Sequence, residues 1–160
     1  MSDTLHPYDA NRPENRPSRA LRAEPAKSRV LILDDDRDSR LVCRAYCDLF
    51  DHPSQSVASL DEALGALRRV RFDVVVMSVH MAKWGGIAAM RAIRALPTPT
   101  GALPLVGLAA LGRADEAQRW RAAGFAAVVG KPVSAARFHA ALRIAREDES
   151  GARRSWAPTE

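Results

Sequence analysis

Three consecutive aspartates, Asp34, Asp35 and Asp36, follow directly on the apolar run Val30-Leu31-Ile32-Leu33. Adjacent carboxylates offer hard oxygen donors to a divalent cation and a counter-charge to an ammonium group. The lysine suited to face them is Lys131, in Gly130-Lys131-Pro132. Ser78, Val79 and His80 follow the apolar run Val74-Val75-Val76-Met77, and Ala109 and Ala110 follow a further run. Carboxylates in one segment and a lysine in another suggest a site for a hard cation and a phosphoryl oxyanion. Negative charge at a helix start is favourable in itself, yet three Asp exceed what a cap requires. Ser78 with His80 lacks the flanking glycines of a hydrolase elbow. With no nucleophile-base pair, the chain is expected not to be an enzyme. Cys43 and Cys47 lie one helical turn apart and would seat only half a metal site, so they are expected as buried, neutral thiols. Trp84 is expected either as an exposed contact residue or as a lid over the crevice.

These residues need elements to position them. Short apolar runs at Val30–Leu33, Val74–Met77, Leu103–Leu108 and Ala127–Val129 read as strands buried on both faces, with a weaker strand over Ser54–Ala58. Helical spacing links Leu41, Val42, Ala45, Tyr46 and Leu49. A second helix follows Ser59, with Leu60, Leu64 and Leu67. A third carries Ile87, Met90, Ile93 and Leu96, opened by Gly85-Gly86 and closed by Pro97. A fourth spans Ala114–Ala123 and stops at Gly124. A fifth is capped by Ser134 and marked by Phe138, Leu142 and Ala145. Five β-α repeats predict a parallel sheet with helices on both faces. Right-handed crossovers make it a doubly wound five-stranded parallel sheet, with the flavodoxin-like order 2-1-3-4-5. In such folds the site lies at the carboxyl ends of the strands, where Asp34 to Asp36, Ser78 to His80, Ala109, Ala110 and Lys131 are expected to stand.

The chain has 160 residues, 47% of them apolar and 27% charged, which suits one globular domain with tails. Residues 1–28 contain four prolines and no hydrophobic periodicity and are expected as a disordered tail. Residues 29–146 are expected as the domain. Residues 147–160, opening Glu147-Asp148-Glu149, are expected to stop the last helix and form a short tail. No run reaches the about 20 apolar residues of a membrane span, and the N-terminus has no secretory pattern. A cytoplasmic protein is expected. The net charge is +5, and residues 29–146 hold 17 basic against 11 acidic side chains. Such a domain attracts acidic partners or polyphosphates. Without a nucleic-acid motif, the charge reads first as a solvated arginine surface.

The assembled motifs resemble the response-regulator receiver domain, the CheY-like module of bacterial two-component and phosphorelay signalling. Val30-Leu31-Ile32-Leu33-Asp34-Asp35-Asp36 with Arg40 resembles its first strand and acidic pair. Phe72-Asp73-Val74-Val75-Val76-Met77 resembles its third strand, and Pro104-Leu105-Val106-Gly107-Leu108 its fourth. Ala123-Gly124 and Gly130-Lys131-Pro132 resemble its fifth strand and its ending. The resemblance implies a phospho-acceptor Asp after the third strand, Mg2+ held by that Asp and the acidic pair, and a Lys on the phosphoryl oxygens. It also implies a Ser or Thr after the fourth strand and an aromatic on the fifth.

The acidic pair falls on Asp34 and Asp35 and the Lys on Lys131. The acceptor position holds Ser78, the hydroxyl position Ala109 and the aromatic position Val128. In the following loop Ala82 replaces the usual Pro, and Gly85 replaces an Asp. A vestigial phosphorylation site is therefore expected, a pseudo-receiver with weak or absent Mg2+ binding. The expected function is that of a stand-alone receiver-like protein acting through protein-protein binding, without phosphorylation on Asp. Expected partners are a histidine kinase or other two-component protein, or a second copy of the chain, and no membrane. The expected contact residues are Trp84 and a basic face with Arg119, Arg143 and Arg146. The alternative is a basic nucleic-acid-associated protein using that arginine-rich face.

Overall fold

The computed structural model describes residues 27–155, with side chains described through Glu149. Of the expected N-terminal tail, only Lys27 and Ser28 are described, and Ser28 is fully buried. The rest of that expectation, and residues 156–160, lie outside the described residues.

Five strands and five helices alternate. They are β1 (Val30–Leu33), α1 (Arg37–Leu49), β2 (Ser54–Val57), α2 (Leu60–Arg69), β3 (Val74–Ser78), α3 (Gly86–Arg94), β4 (Leu105–Ala109), α4 (Glu116–Ala123), β5 (Ala127–Gly130) and α5 (Ala135–Ser155). The strands form one parallel sheet in the order β2-β1-β3-β4-β5, as the alternating pattern requires. Every residue of β1, β3 and β4 is buried. Successive residues point to opposite faces. Leu31 and Leu33 join the core under α2, α3 and α4, and Val30 and Ile32 join the core under α1 and α5.

Local chemistry sets the boundaries. Asp36 caps α1, its side chain accepting the N–H groups of Asp38 and Ser39. Ser59 caps α2 through Glu62 N–H, and Glu62 reaches back to Ala58 N–H, in the manner of a capping box. Ser134 caps α5 through Arg137 N–H. Gly124 ends α4 at φ 130°, a conformation that a side chain would strain. β4 begins at Leu105, two residues later than the apolar run, after a 3-10 turn over Thr100–Ala102 and Pro104.

Two expectations need correcting. The last helix does not stop at Glu147 but runs on to Ser155. Glu is a good helix former, and a single glycine costs only about 1 kcal/mol against alanine. The apolar spacing in α1 also marks the wrong face. Cys43 and Cys47 are its buried residues, with Tyr46 half-buried and packed beside them. Leu41, Val42 and Leu49 are 50%, 40% and 65% exposed.

Candidate functional site at the carboxyl edge of the sheet

The carboxyl ends of β1, β3, β4 and β5 bring Asp34, Ser78, Ala109 and Lys131 together, as the spacing implied. Register places Ser78 beside Leu108, and Ala109 beside Gly130. Asp34, Ser78 and Ala109 are buried. Lys131 is held from behind, its N–H donating to the Ala109 carbonyl at 2.8 Å.

Lys131 Nζ donates to Asp34 Oδ2 at 3.1 Å and to Ser78 Oγ at 3.3 Å. Asp34 Oδ2 also accepts the Ser39 hydroxyl at 2.6 Å, and Oδ1 accepts the Asp36 N–H at 3.0 Å. A carboxylate has about four lone-pair directions, so three partners leave Asp34 almost fully committed. Its carbonyl is taken as well, by Arg40 Nη1 at 2.7 Å. Asp35 is exposed and turns outward, where Oδ2 accepts the Ala82 N–H at 2.8 Å. That bond ties the end of β1 to the loop after β3. The partners Ser39 and Ala82 were missed in the sequence, because neither bond has a motif; each depends on how the chain turns. Asp36 has its carboxyl held below the usual range, chiefly by the Ser39 N–H it accepts as cap.

Ser78 has no base to activate it. Its one described polar neighbour is an ammonium group engaged with a carboxylate. The donor set also fits Mg2+ poorly. That ion asks for near-octahedral oxygen ligation and usually one or two free carboxylates. Here Asp34 is spent on Lys131, Ser39 and Asp36, and Ser78 brings a neutral hydroxyl. Among the described residues no group of three or more His, Cys, Asp or Glu could hold a metal ion. Cys43 and Cys47 are free and buried, and burial pushes their thiols up to about 12 and about 11. Their burial is as expected.

The remaining expected contact residues stand on three elements. Trp84 is 37% exposed in the loop before α3. Arg119 stands on α4, its guanidinium 2.9 Å from Asp115 one turn away. Arg143 is exposed on α5. Arg146 is half-buried, and its charge bears on His52 at the far end of α1. α4 packs on one face of the sheet and α5 on the other, and both flank the edge strand β5. Val128, at the aromatic position, packs partly buried against the core. Trp120 of α4, not singled out in the sequence, lies edge-on to His80 at 5.9 Å and to Phe125 at 5.8 Å. These contacts link the loop after Ser78 to α4.

The family model described as the response regulator receiver domain matches residues 30–143. The virulence sensor protein BvgS of Bordetella pertussis is 33% identical over 73% of this chain and 10% of its own length. The autoinducer 2 sensor kinase/phosphatase LuxQ of Vibrio vulnificus is 27% identical over 69% of this chain and 13% of its own. The chain thus spans about a tenth of the length of these curated relatives. Among solved structures, the Francisella response regulator 1452 receiver domain superposes with a TM-score of 0.65 at 19% identity, covering 76% of this chain and 99% of that one. The chemotaxis response regulator CheY4 of Vibrio cholerae gives 0.64 at 21% identity, covering 74% and 98%. At those identities the likeness shows the fold.

Proposed function

The chain belongs to the response regulator receiver domain family, and from that premise we propose that it is a pseudo-receiver, signalling by protein binding without an acyl phosphate. One observation carries this reading. Where the family's acceptor carboxylate would stand is Ser78, and Lys131 divides its contacts between that hydroxyl and Asp34. A hydroxyl cannot form an acyl phosphate. Asp34 and Lys131 then serve as a closed ion pair that holds the carboxyl edge in one arrangement, and Mg2+ has no assigned place there. A ligand shifts an equilibrium only through differential affinity for two states. With Ala109 and Val128 at the relay positions, no phosphoryl-driven bias has a path outward. Partner binding is therefore constitutive.

The partner class is a histidine kinase or another two-component protein. Several apolar side chains stand in solvent, notably Leu41, Val42 and Leu49 on α1, and Trp84. The role is assigned to the domain over residues 29–146. Among the described residues no helix is long and apolar enough to cross a membrane, so nothing in the reading involves one.

The test is incubation of the full chain with a small-molecule phosphodonor and Mg2+, followed by mass spectrometry. The expected result is no hydroxylamine-labile phosphate. Stoichiometric labile phosphate would overturn the proposal.

A further inference from the structure

The turn between α1 and β2 holds a cluster that the carboxyl-edge site does not use. His52 is 9% exposed, and its Nδ1 accepts the Ser28 N–H at 3.0 Å. That bond sets the tautomer: with the Nδ1 lone pair occupied, the neutral ring carries its proton on Nε2. Nε2 is buried with no hydrogen-bond partner among the described residues, and so is Nδ1 of His139 on α5. The His139 ring stacks on Phe50 with centroids 4.1 Å apart, and lies 6.1 Å from the His52 ring. His52 N–H donates to the Cys47 carbonyl, and the next carbonyl, of Pro53, accepts the Val30 N–H. His52 thus ties the entry to β1 through its ring and the end of α1 through its backbone, with its imidazole facing the His139 ring of α5.

We propose that His52 is a proton-operated latch on the entry to β1. Neutral, it holds Ser28 against the α1–β2 turn; protonated, it lets Ser28 go and loosens α5 from the end of α1. A second proton has only Nδ1 to occupy, the atom that accepts from Ser28. Once protonated, Nδ1 is a donor facing a donor. The groups around the ring oppose the cation. His139 and Arg146 face it from α5 and Lys27 from the segment before β1, while Asp51 in the turn alone favours it. Burial first, then these positive neighbours, hold the pKa of His52 below its ordinary 6.5.

The sign follows from linkage. Below about pH 6.5 the unfolded chain binds a proton that the folded chain refuses, so stability falls as pH drops through that window and is fully present above it. The released element is the point where the preceding segment enters the domain. The latch therefore makes that entry, and the α1–α5 seam, responsive to mild acid.

The test uses the full chain. NMR follows the His52 imidazole and the Ser28 amide between about pH 7.5 and about pH 5. Denaturant unfolding compares wild type with His52→Asn over the same range. Asn brings an acceptor oxygen near the place of Nδ1 and cannot titrate, and the two proteins differ at residue 52 alone. The expected midpoint for His52 lies below 6.5, with the Ser28 amide following it. The folding equilibrium constant of wild type is expected to fall more steeply than that of the variant, by up to about tenfold per pH unit for the one proton. A midpoint at or above 6.5, a Ser28 amide that ignores it, or equal slopes in the two proteins would overturn the latch. Should His52→Asn fail to fold, the wild-type NMR titration decides by itself.

Discussion

Asp34 has more partners than any neighbour in the carboxyl-edge cluster. Its side chain is 1% exposed, and it balances its charge against Lys131, which is 30% exposed. Removing the ammonium leaves a buried carboxylate with only the Ser39 and Asp36 donors. Lys131→Met is expected to destabilise by about 2 kcal/mol, below the loss for a fully buried pair because solvent reaches Lys131. Urea unfolding at neutral pH reads this directly; an unchanged midpoint would mean that the pair contributes nothing. Ser78→Asp is expected to act in the opposite chemical direction. A third carboxylate gives a hard cation the oxygen charge it lacks, and Mg2+ affinity is expected to rise by about tenfold, or about 1.4 kcal/mol. Fluorescence of Trp84, in the loop next to Ala82, follows the titration. The variant is not expected to regain switching, because Ala109 offers no hydroxyl and Val128 no ring. A phosphodonor-dependent change in partner affinity in this single variant would refute that. The positions of Asp34, Ser78 and Lys131 were legible because each stands at the carboxyl end of an apolar run, and a strand end has one place in this fold. The Ser39 hydroxyl and the Ala82 amide were not legible, since their bonds arise from turn geometry.

The strands announced themselves better than the helix faces did. β1, β3 and β4 are buried on both sides, so composition alone marks them. α1 misleads because its core contacts come from Cys43, Cys47 and Tyr46, while larger aliphatics look outward. A helix with apolar residues on two sides has no single periodic answer; packing chooses. α5 misleads for another reason. Three acidic residues read as an ending, but no proline enforces one, and helix propensity carries the helix on. Two glycines give a sharper test at this scale. A Cβ on Gly86 would lie 2.8 Å from the Val79 Cα, where backbone meets backbone at the start of α3. Gly86→Ala is expected to cost about 1 to 3 kcal/mol as overpacking. Gly65 sits inside α2 with nothing within 4 Å of such a Cβ. Gly65→Ala is expected to stabilise by about 0.5 to 1 kcal/mol through helix propensity. Paired denaturation curves check both signs; a stabilising Gly86→Ala would show that the start of α3 yields to the added methyl, and a destabilising Gly65→Ala would refute the propensity argument.

At the scale of the whole molecule the question is where the positive charge stands. A net +5 with 21 arginines could serve nucleic acid only if the arginines converged. Phosphate binding gains by releasing counterions along a continuous basic surface, and each neutralised phosphate adds to the salt dependence. Here Arg119 is engaged with Asp115, and Arg40 and Arg94 spend guanidinium bonds on backbone carbonyls. Net positive charge biases encounter toward acidic partners. Binding to a random DNA duplex is therefore expected to be weak at about 50 mM salt and lost by about 200 mM. Triple replacement of Arg119, Arg143 and Arg146 by Glu is expected to move it little more than any equal change in net charge, such as Glu at Arg37, Arg44 and Arg68. Fluorescence anisotropy across a salt series makes the comparison. Tight binding that persists at physiological salt, with a slope demanding about six or more phosphate contacts and abolished only by the first triple variant, would establish the nucleic-acid reading. Equal effects of the two triples would show that the arginines act as diffuse charge and leave specific recognition to the apolar side chains of α1 and Trp84.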